Sequence, residues 1–460
     1  MKRMSIAVLI LGACLGSVAW AQQPAGKCSN NWSEFHRPNM MRWNPCENVL
    51  NVNNVGSLSL KWSYTTMGSV VSSPAVANGV VYVGSWDGNV YALNASTGAK
   101  LWSYHTGSNV ISSPAVADGV VYVGSGTNNV YALNAITGAP LWSYATGEAV
   151  YSSPAVANGV VYIGSIDDSL YALNASTGAK LWSYATGSGV KSSPAVVNGV
   201  VYFGSGDGNV YALDAATGAL LWSYATGSGV YYASPAVANG VVYVGAYNGN
   251  VYALNATTGA LLWSYAIGTD VETSPAVANG VIYVGSYDSN VYALNASTGT
   301  LLWSYITGGQ VFSSPAVANG VVYVGSDDDN VYALNASTGA NLWSYYLSGG
   351  YPQYSSPAVA NGVVYIGAGD DNVYALTAAT GAFLWSYFTS NEVGDSPAVA
   401  NGVVYVAGYN GVVYALHART GDELWRYELR GFAVSSSPAV ANGVVYVGST
   451  NGNFYAFSLK

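Results

Sequence analysis

Few side chains in this sequence are placed to do covalent chemistry. The three histidines, His36, His105 and His417, stand far apart, and none has the spacing of a metal site. No Gly-x-Ser-x-Gly elbow surrounds a serine. The densest acidic run, Asp327-Asp328-Asp329, lacks the spaced ligands and closing glutamate of a calcium loop and reads as a hairpin tip. Asn94-Ala95-Ser96 matches a glycosylation sequon. Other copies of that stretch hold Asp214, Thr377 or His417 in place of the asparagine, so a turn is the better reading. No catalytic residue and no metal ligand is assigned. What remains is recognition chemistry, in which carboxylates attract cations and aromatic rings stack on a partner.

These groups acquire positions only through a repeat. The stretch Ser72 to Gly107 recurs along the chain, marked by Pro74, Pro114, Pro154, Pro194, Pro235, Pro275, Pro315, Pro357, Pro397 and Pro438, which are 40 to 42 residues apart. A fixed period of this size marks a stacked or radial repeat fold. Each copy reads as four strands, in the first copy PAV, VVYVGS, NVYALN and KLWSY, rich in the Val, Tyr and Trp that strands favour. Asn78-Gly79, Asp87-Gly88 and Ser96-Thr97-Gly98 supply the turns between them. Strands apolar on both faces are sandwiched strands, and a radial set of such four-stranded sheets is a β-propeller.

The two ends complete each other. The last copy stops at Lys460 without a fourth strand, and an orphan fourth strand, Leu58 to Tyr64, precedes the first copy. Together they close a ring with no free edge. The expectation is an all-β chain in which residues 58–460 form one propeller of ten four-stranded blades, with eight blades as the alternative. Residues 22–57 are an irregular lead-in, with Trp32, Phe35, Trp43 and Pro45 expected to pin it to the ring.

Residues 1–21 read as a signal peptide, with Lys2, Arg3, an apolar run from Ile6 to Val18, and Ala19-Trp20-Ala21. The chain is then exported, to the periplasm or beyond. Leu11-Gly12-Ala13-Cys14 is an alternative cleavage box that would leave a lipid anchor on Cys14. No later segment is a transmembrane span. In an exported chain Cys28 and Cys46 most simply form one disulfide, contributing about 3 kcal/mol. Only 8% of residues are charged, 51% are hydrophobic and the net charge is −9. That balance speaks against a nucleic-acid partner.

In an antiparallel meander the first and third turns of every blade share one face of the ring. That face is monotonous, ANG and NASTG with small edits. The second turns and the links between blades share the other face, and there the sequence varies. Fifteen of the 22 acidic residues fall on it, among aromatic rings. The candidate binding face comprises Trp86, Asp87, Asp167, Asp168, Lys191, Tyr231, Tyr247, Glu272, Tyr287, Asp327, Asp328, Asp329, Asp370, Asp371 and Tyr409. Against this stands the plainer reading, that Asp and Asn are good turn residues and that acid keeps a surface soluble.

The turn from Ala92 to Trp102 resembles the tryptophan-docking motif of the quinoprotein (PQQ) propeller family. It recurs at Tyr211–Trp222, Tyr252–Trp263 and Tyr332–Trp343, and the lead-in WSEFHRPNMMRWNPCENVLNVNNVGSLSLKWSY is similar to the start of these proteins. The resemblance implies structural docking by Trp62, Trp102, Trp142, Trp182, Trp222, Trp263, Trp303, Trp343, Trp385 and Trp425. One branch of the family contains dehydrogenases that hold PQQ and calcium. The other contains non-enzymatic scaffolds, such as the BamB-type lipoprotein of outer-membrane assembly. This chain has no Cys-Cys pair, and no position matches the dehydrogenases' catalytic aspartate or calcium ligands. It is therefore closer in character to the scaffolds. The expectation is an exported, cofactor-free platform for an envelope or extracellular protein or peptide. A PQQ- and calcium-dependent dehydrogenase is the alternative. Carbohydrate binding through Trp86, Tyr247, Tyr287 and Tyr409 is the second.

Overall fold

The computed structural model describes residues 43, 44, 47–70, 72–231, 234–271, 273, 275–352, 355–429 and 437–460. Strand dominates them, and the one helical element among them is a short 3-10 turn at Val55–Ser57. In blade 1 the strands are Ala75–Ala77, Val80–Gly84, Asn89–Asn94 and Lys100–His105. They lie in that order across one antiparallel sheet and are lettered a to d here. Nine more sheets repeat the pattern, giving a ten-bladed β-propeller. The a strands of successive blades adjoin one another and line the central channel.

Local chemistry explains each element. Asn78 and Gly79 have φ of 51° and 77°, the pair of positive angles that a tight two-residue hairpin demands. Strands b and c are buried on both faces, as their apolar runs require. The core therefore lies between blades. Tyr82, Val90, Ala92 and Trp102 of blade 1 pack on Val121, Val123, Tyr131 and Leu133 of blade 2. A bulge in strand d lets Leu93 face Lys100 while Ala92 faces Trp102. It turns the indole into the core and leaves Leu101 on the outer wall, 43% exposed.

The ring closes as the ends require. Leu58–Thr65 pairs antiparallel with Asn453–Leu459, with Trp62 opposite Ala456 and Tyr64 opposite Phe454. It is strand d of blade 10.

Within the lead-in, residues 43, 44 and 47–57 are described. Trp43–Asn44 pairs parallel with Ala398–Ala400, strand a of blade 9, at Val399 and Ala400. Added to the inner side of an a strand, it lies within the channel. Asn44 Nδ2 donates to the Val440 carbonyl of blade 10 at 2.9 Å. The Glu47 carboxylate accepts from the backbone of Val49, Leu50 and Gly443. Asn401 Nδ2 donates to Leu50 O at 2.9 Å. The chain thus runs down the channel, across the a–b turns of blades 9 and 10, and out to close the ring. Backbone groups left over by the meander made this seat, and residue patterns do not mark them. Residues 1–21, Cys14, Cys28, Cys46, Trp32, Phe35 and Pro45 lie outside the described residues. Among the described residues no helix is long and apolar enough to cross a membrane.

Candidate recognition face

The monotonous face is consumed by structure. Trp102 Nε1 donates to Ala135 O of the next blade at 3.0 Å, and Tyr82 OH donates to the same carbonyl at 3.1 Å. The indole covers Gly138, whose φ is 70° and where a Cβ would come within 2.3 Å of the ring. Only glycine meets both demands. Asn134 Oδ1 accepts from the N–H groups of Ile136 and Thr137 and fixes the turn. Trp62, Trp142, Trp182, Trp222, Trp263, Trp303, Trp343 and Trp385 dock on glycine in the same way. Trp425 instead meets Phe457 edge-on at 4.6 Å, because the c–d turn of blade 10 is replaced by the two chain ends. For the same reason the buried Tyr405 hydroxyl has no hydrogen-bond partner, unlike its equivalents in blades 1 to 8.

The varied face divides into places with different duties. Counting each b–c tip from the residue at the Ser85 position, the third place is Asp, Asn or, in blade 2, Thr127. Asp207 shows its use. Its Oδ2 accepts from Gly187 N at 2.6 Å and from Tyr211 OH at 2.7 Å, and its Oδ1 accepts from Asn209 N at 2.9 Å. One carboxylate thus clamps the tip to the link entering the blade. Asp87 does the same with Met67, Tyr91 and Asn89. Asp167, Asp288, Asp328 and Asp370 bond their own tyrosines. Burial alone would raise the carboxyls of Asp87 and Asp207. At Asp87 and Asp207 the hydrogen bonds outweigh it and hold the group below the usual carboxylate range. Asn248 and Asn451 make the clamp with reversed polarity, donating Nδ2 to Thr226 O and Leu429 O. Sequence reading overlooked this device. Its signal was present, an Asp or Asn four residues ahead of a tyrosine, as in Asp87 and Tyr91.

The fourth place of each tip is left-handed. Glycine takes it in blades 1, 4, 5, 9 and 10, while Asp168, Asp329 and Asp371 adopt φ of 66° to 69° there. Their backbone role is the turn, and their side chains face outward, half-buried.

The second place and the links supply what the turns do not need. Lys191 Nζ lies 5.3 Å from the centre of the Tyr231 ring. Tyr231 in turn meets Tyr247 at 5.6 Å between centroids. These three residues form one run over blades 4 and 5. Tyr287 and Phe312 meet edge-on at 4.5 Å over blades 6 and 7. Acid follows at blades 7 and 8. Burial, with Asp328 and Asp329 beside it, pushes the Asp327 carboxyl up, and its Oδ1 is buried without a hydrogen bond. Burial, Asp328 and Asp370 push Asp329 up likewise. Trp86, 53% exposed, stands on blade 1 and Tyr409 on blade 9. Glu272 lies outside the described residues. Among the described residues no three His, Cys, Asp or Glu converge as a metal group. The face can therefore do two things: stack on apolar or cationic side chains, and attract positive charge.

Comparison with known proteins agrees with this architecture. The sequence matches no curated protein. BamB from Moraxella catarrhalis is similar in structure, with a TM-score of 0.50 and 21% identity over 70% of this chain and 98% of that one. Quinohemoprotein alcohol dehydrogenase from Comamonas testosteroni gives 0.58 and 18% over 94% and 81%. A europium-containing methanol dehydrogenase gives 0.54 and 16% over 93% and 98%. At these identities the likeness is one of fold. A family profile described as outer membrane protein assembly factor BamB matches residues 57–113, 108–250, 226–311, 306–393 and 388–460, so the whole propeller is covered, and this chain belongs to that family.

Proposed function

We propose that the chain is an exported, non-enzymatic propeller that holds a protein or peptide partner in the cell envelope, on its varied face. One observation carries the reading. Where a turn position has a structural duty, the blades keep glycine, as at Gly138, or hold Asp or Asn in nearly every copy, as at Asp207. Where it has none, the blades gather aromatic pairs and acid, Tyr231 with Tyr247, Tyr287 with Phe312, and the buried carboxyl oxygen of Asp327. Half-exposed tyrosines on rigid turns are low-entropy anchors of the kind that dominate protein interfaces. The acidic rim draws a basic partner toward them. Membership of a family named for an outer-membrane assembly factor supports an envelope location and a protein partner.

The test is site-specific photo-crosslinking in the exporting cell. A photoreactive residue at Tyr247 or Tyr287 should capture a discrete protein. The same residue at Ser176 or Ser337, on the monotonous face, should not. Equal capture from both faces overturns the reading. So does dye-linked alcohol or sugar oxidation on addition of PQQ and calcium.

A further inference from the structure

All ten a strands carry nearly one sequence, Pro-Ala-Val-Ala, and offer the channel the same edge. In an antiparallel pair, hydrogen-bonded and unbonded positions alternate, beginning with a bonded pair at a two-residue turn. Ala117 and Val120 flank the turn of blade 2, and Val116 faces Val121. Val116 therefore turns both its N–H and its C=O away from strand b, into the channel. Val156 and Val196 hold the same place in blades 3 and 4. In blades 9 and 10 these groups are used, since Trp43–Asn44 pairs beside Val399 and Asn44 Nδ2 caps the Val440 carbonyl. The a strands there are buried throughout. In blades 2 to 4 they are half-buried, and among the described residues no strand is laid on them.

An edge with unpaired backbone groups is a template for another strand. We propose that the channel edges of blades 2 to 4 take an extended segment of a partner polypeptide, laid parallel to the a strands as Trp43–Asn44 is laid on blade 9. The seat already filled by the chain's own strand is continuous around the ring with these edges, which fixes the sense of addition. The lining fixes the chemistry. It is alanine, valine and serine, with Ser113 N donating to Ser153 Oγ and Ser153 N to Ser193 Oγ. The segment is therefore uncharged along its paired stretch, as Trp43–Asn44 is on blade 9. A parallel strand enters from the varied face, where the acid lies. Its leading end is therefore basic, as Arg42 stands just ahead of Trp43 in this chain. The inference rests on the reading of the chain as a peptide-holding platform but assigns it a different surface.

The experiment uses the full chain and fluorescence anisotropy. The probe is a dye-labelled peptide with the sequence of residues 37–48, serine replacing the cysteine. Saturable binding is expected. Val116→Pro, Val156→Pro and Val196→Pro together remove only channel-facing donors, at an edge where proline is tolerated. They should weaken binding about tenfold, the value of one or two ladder hydrogen bonds. N-methylating the peptide between Trp and Asn should do the same, and this arm decides the matter even where the triple variant fails to fold. Equal binding of the N-methylated peptide overturns the proposal, as does the absence of saturation at millimolar peptide. Loss of binding in Tyr247→Ala with the folded proline variant unaffected also overturns the channel site, and it leaves the rim reading standing. The reverse pattern supports the channel.

Discussion

The indole Nε1 of Trp62 donates to the carbonyl of Ala95 at 3.2 Å, and by this bond the last blade holds the first. The residues are 33 apart in sequence, as are Trp102 and Ala135. The closing seam is therefore built like those between blades 1 and 9. Trp62→Ala and Trp182→Ala should each cost about 3–5 kcal/mol, the usual penalty for emptying a buried indole site. They should agree to within about 1 kcal/mol, because both indoles dock on a glycine of the next blade and donate to the same carbonyl position there. Urea melts of both variants check this. A near-neutral Trp62→Ala would mean an open ring.

The Asp207 clamp makes a pH prediction. Its carboxyl is held below the usual carboxylate range, since hydrogen bonds from Gly187, Tyr211 and Asn209 outweigh burial. The unfolded chain then binds more protons than the folded one at acid pH. Stability from the clamp is present above the ordinary carboxylate pKa of about 4 and is lost as pH falls through the lower folded value. Asp87 adds in the same direction. Wild-type Tm should therefore fall steeply from pH 5 toward pH 3, and Asp207→Ala should have a lower Tm at pH 7 with a shallower acid slope. Circular dichroism melts across that range read both. Asp207→Asn should be milder, because Asn248 shows that an amide can hold the same place.

Much of this fold is legible in the sequence, because every blade states the same local rules again. Asn78-Gly79 demands a hairpin, and Trp102 with Gly138 demands a docked seam. The orphan strand at Trp62 can finish only a sheet that lacks one. The site is less legible. Asp207 and Asp168 look alike in sequence, yet one is a clamp and the other holds a left-handed turn, a difference set by what approaches from the link. Trp43 is legible as a point of attachment to the ring, but its pairing as a channel strand is not, since that answers to backbone groups rather than to side chains.

The acidic tip of blade 7 works against stability. Burial and the neighbouring carboxylates push Asp327 and Asp329 up. A raised folded pKa means that the favourable balance exists below the ordinary carboxylate pKa and is lost as pH rises through the folded value. At neutral pH the cluster is a repulsive load. Asp327→Asn should raise Tm at pH 7, and the gain should vanish near pH 3, where the raised Asp327 and Asp329 carboxyls are protonated. A lowered Tm at pH 7 would show that Asp327 is stabilised by something other than its visible surroundings.

The outer wall carries a separate liability. Every d strand is a sheet edge, and exposed edges invite pairing with other molecules unless charge or proline blunts them. Lys61, Lys100, Pro140, Lys180, Glu423 and Arg426 do so on blades 10, 1, 2, 3 and 9. Blades 4 to 8 have no such guard, and of these blades 4 to 6 have paired leucines. The pairs are Leu220-Leu221, Leu261-Leu262 and Leu301-Leu302, each residue 40–45% exposed. Leu221→Lys, Leu262→Lys and Leu302→Lys together should suppress concentration-dependent light scattering. Because the leucines lie outside the inter-blade layers, Tm should stay within a few degrees of wild type. Scattering that persists in the triple variant would place the sticky surface elsewhere, on the Ile306, Tyr346 and Phe388 positions at the upper end of the same wall, which are 58–72% exposed.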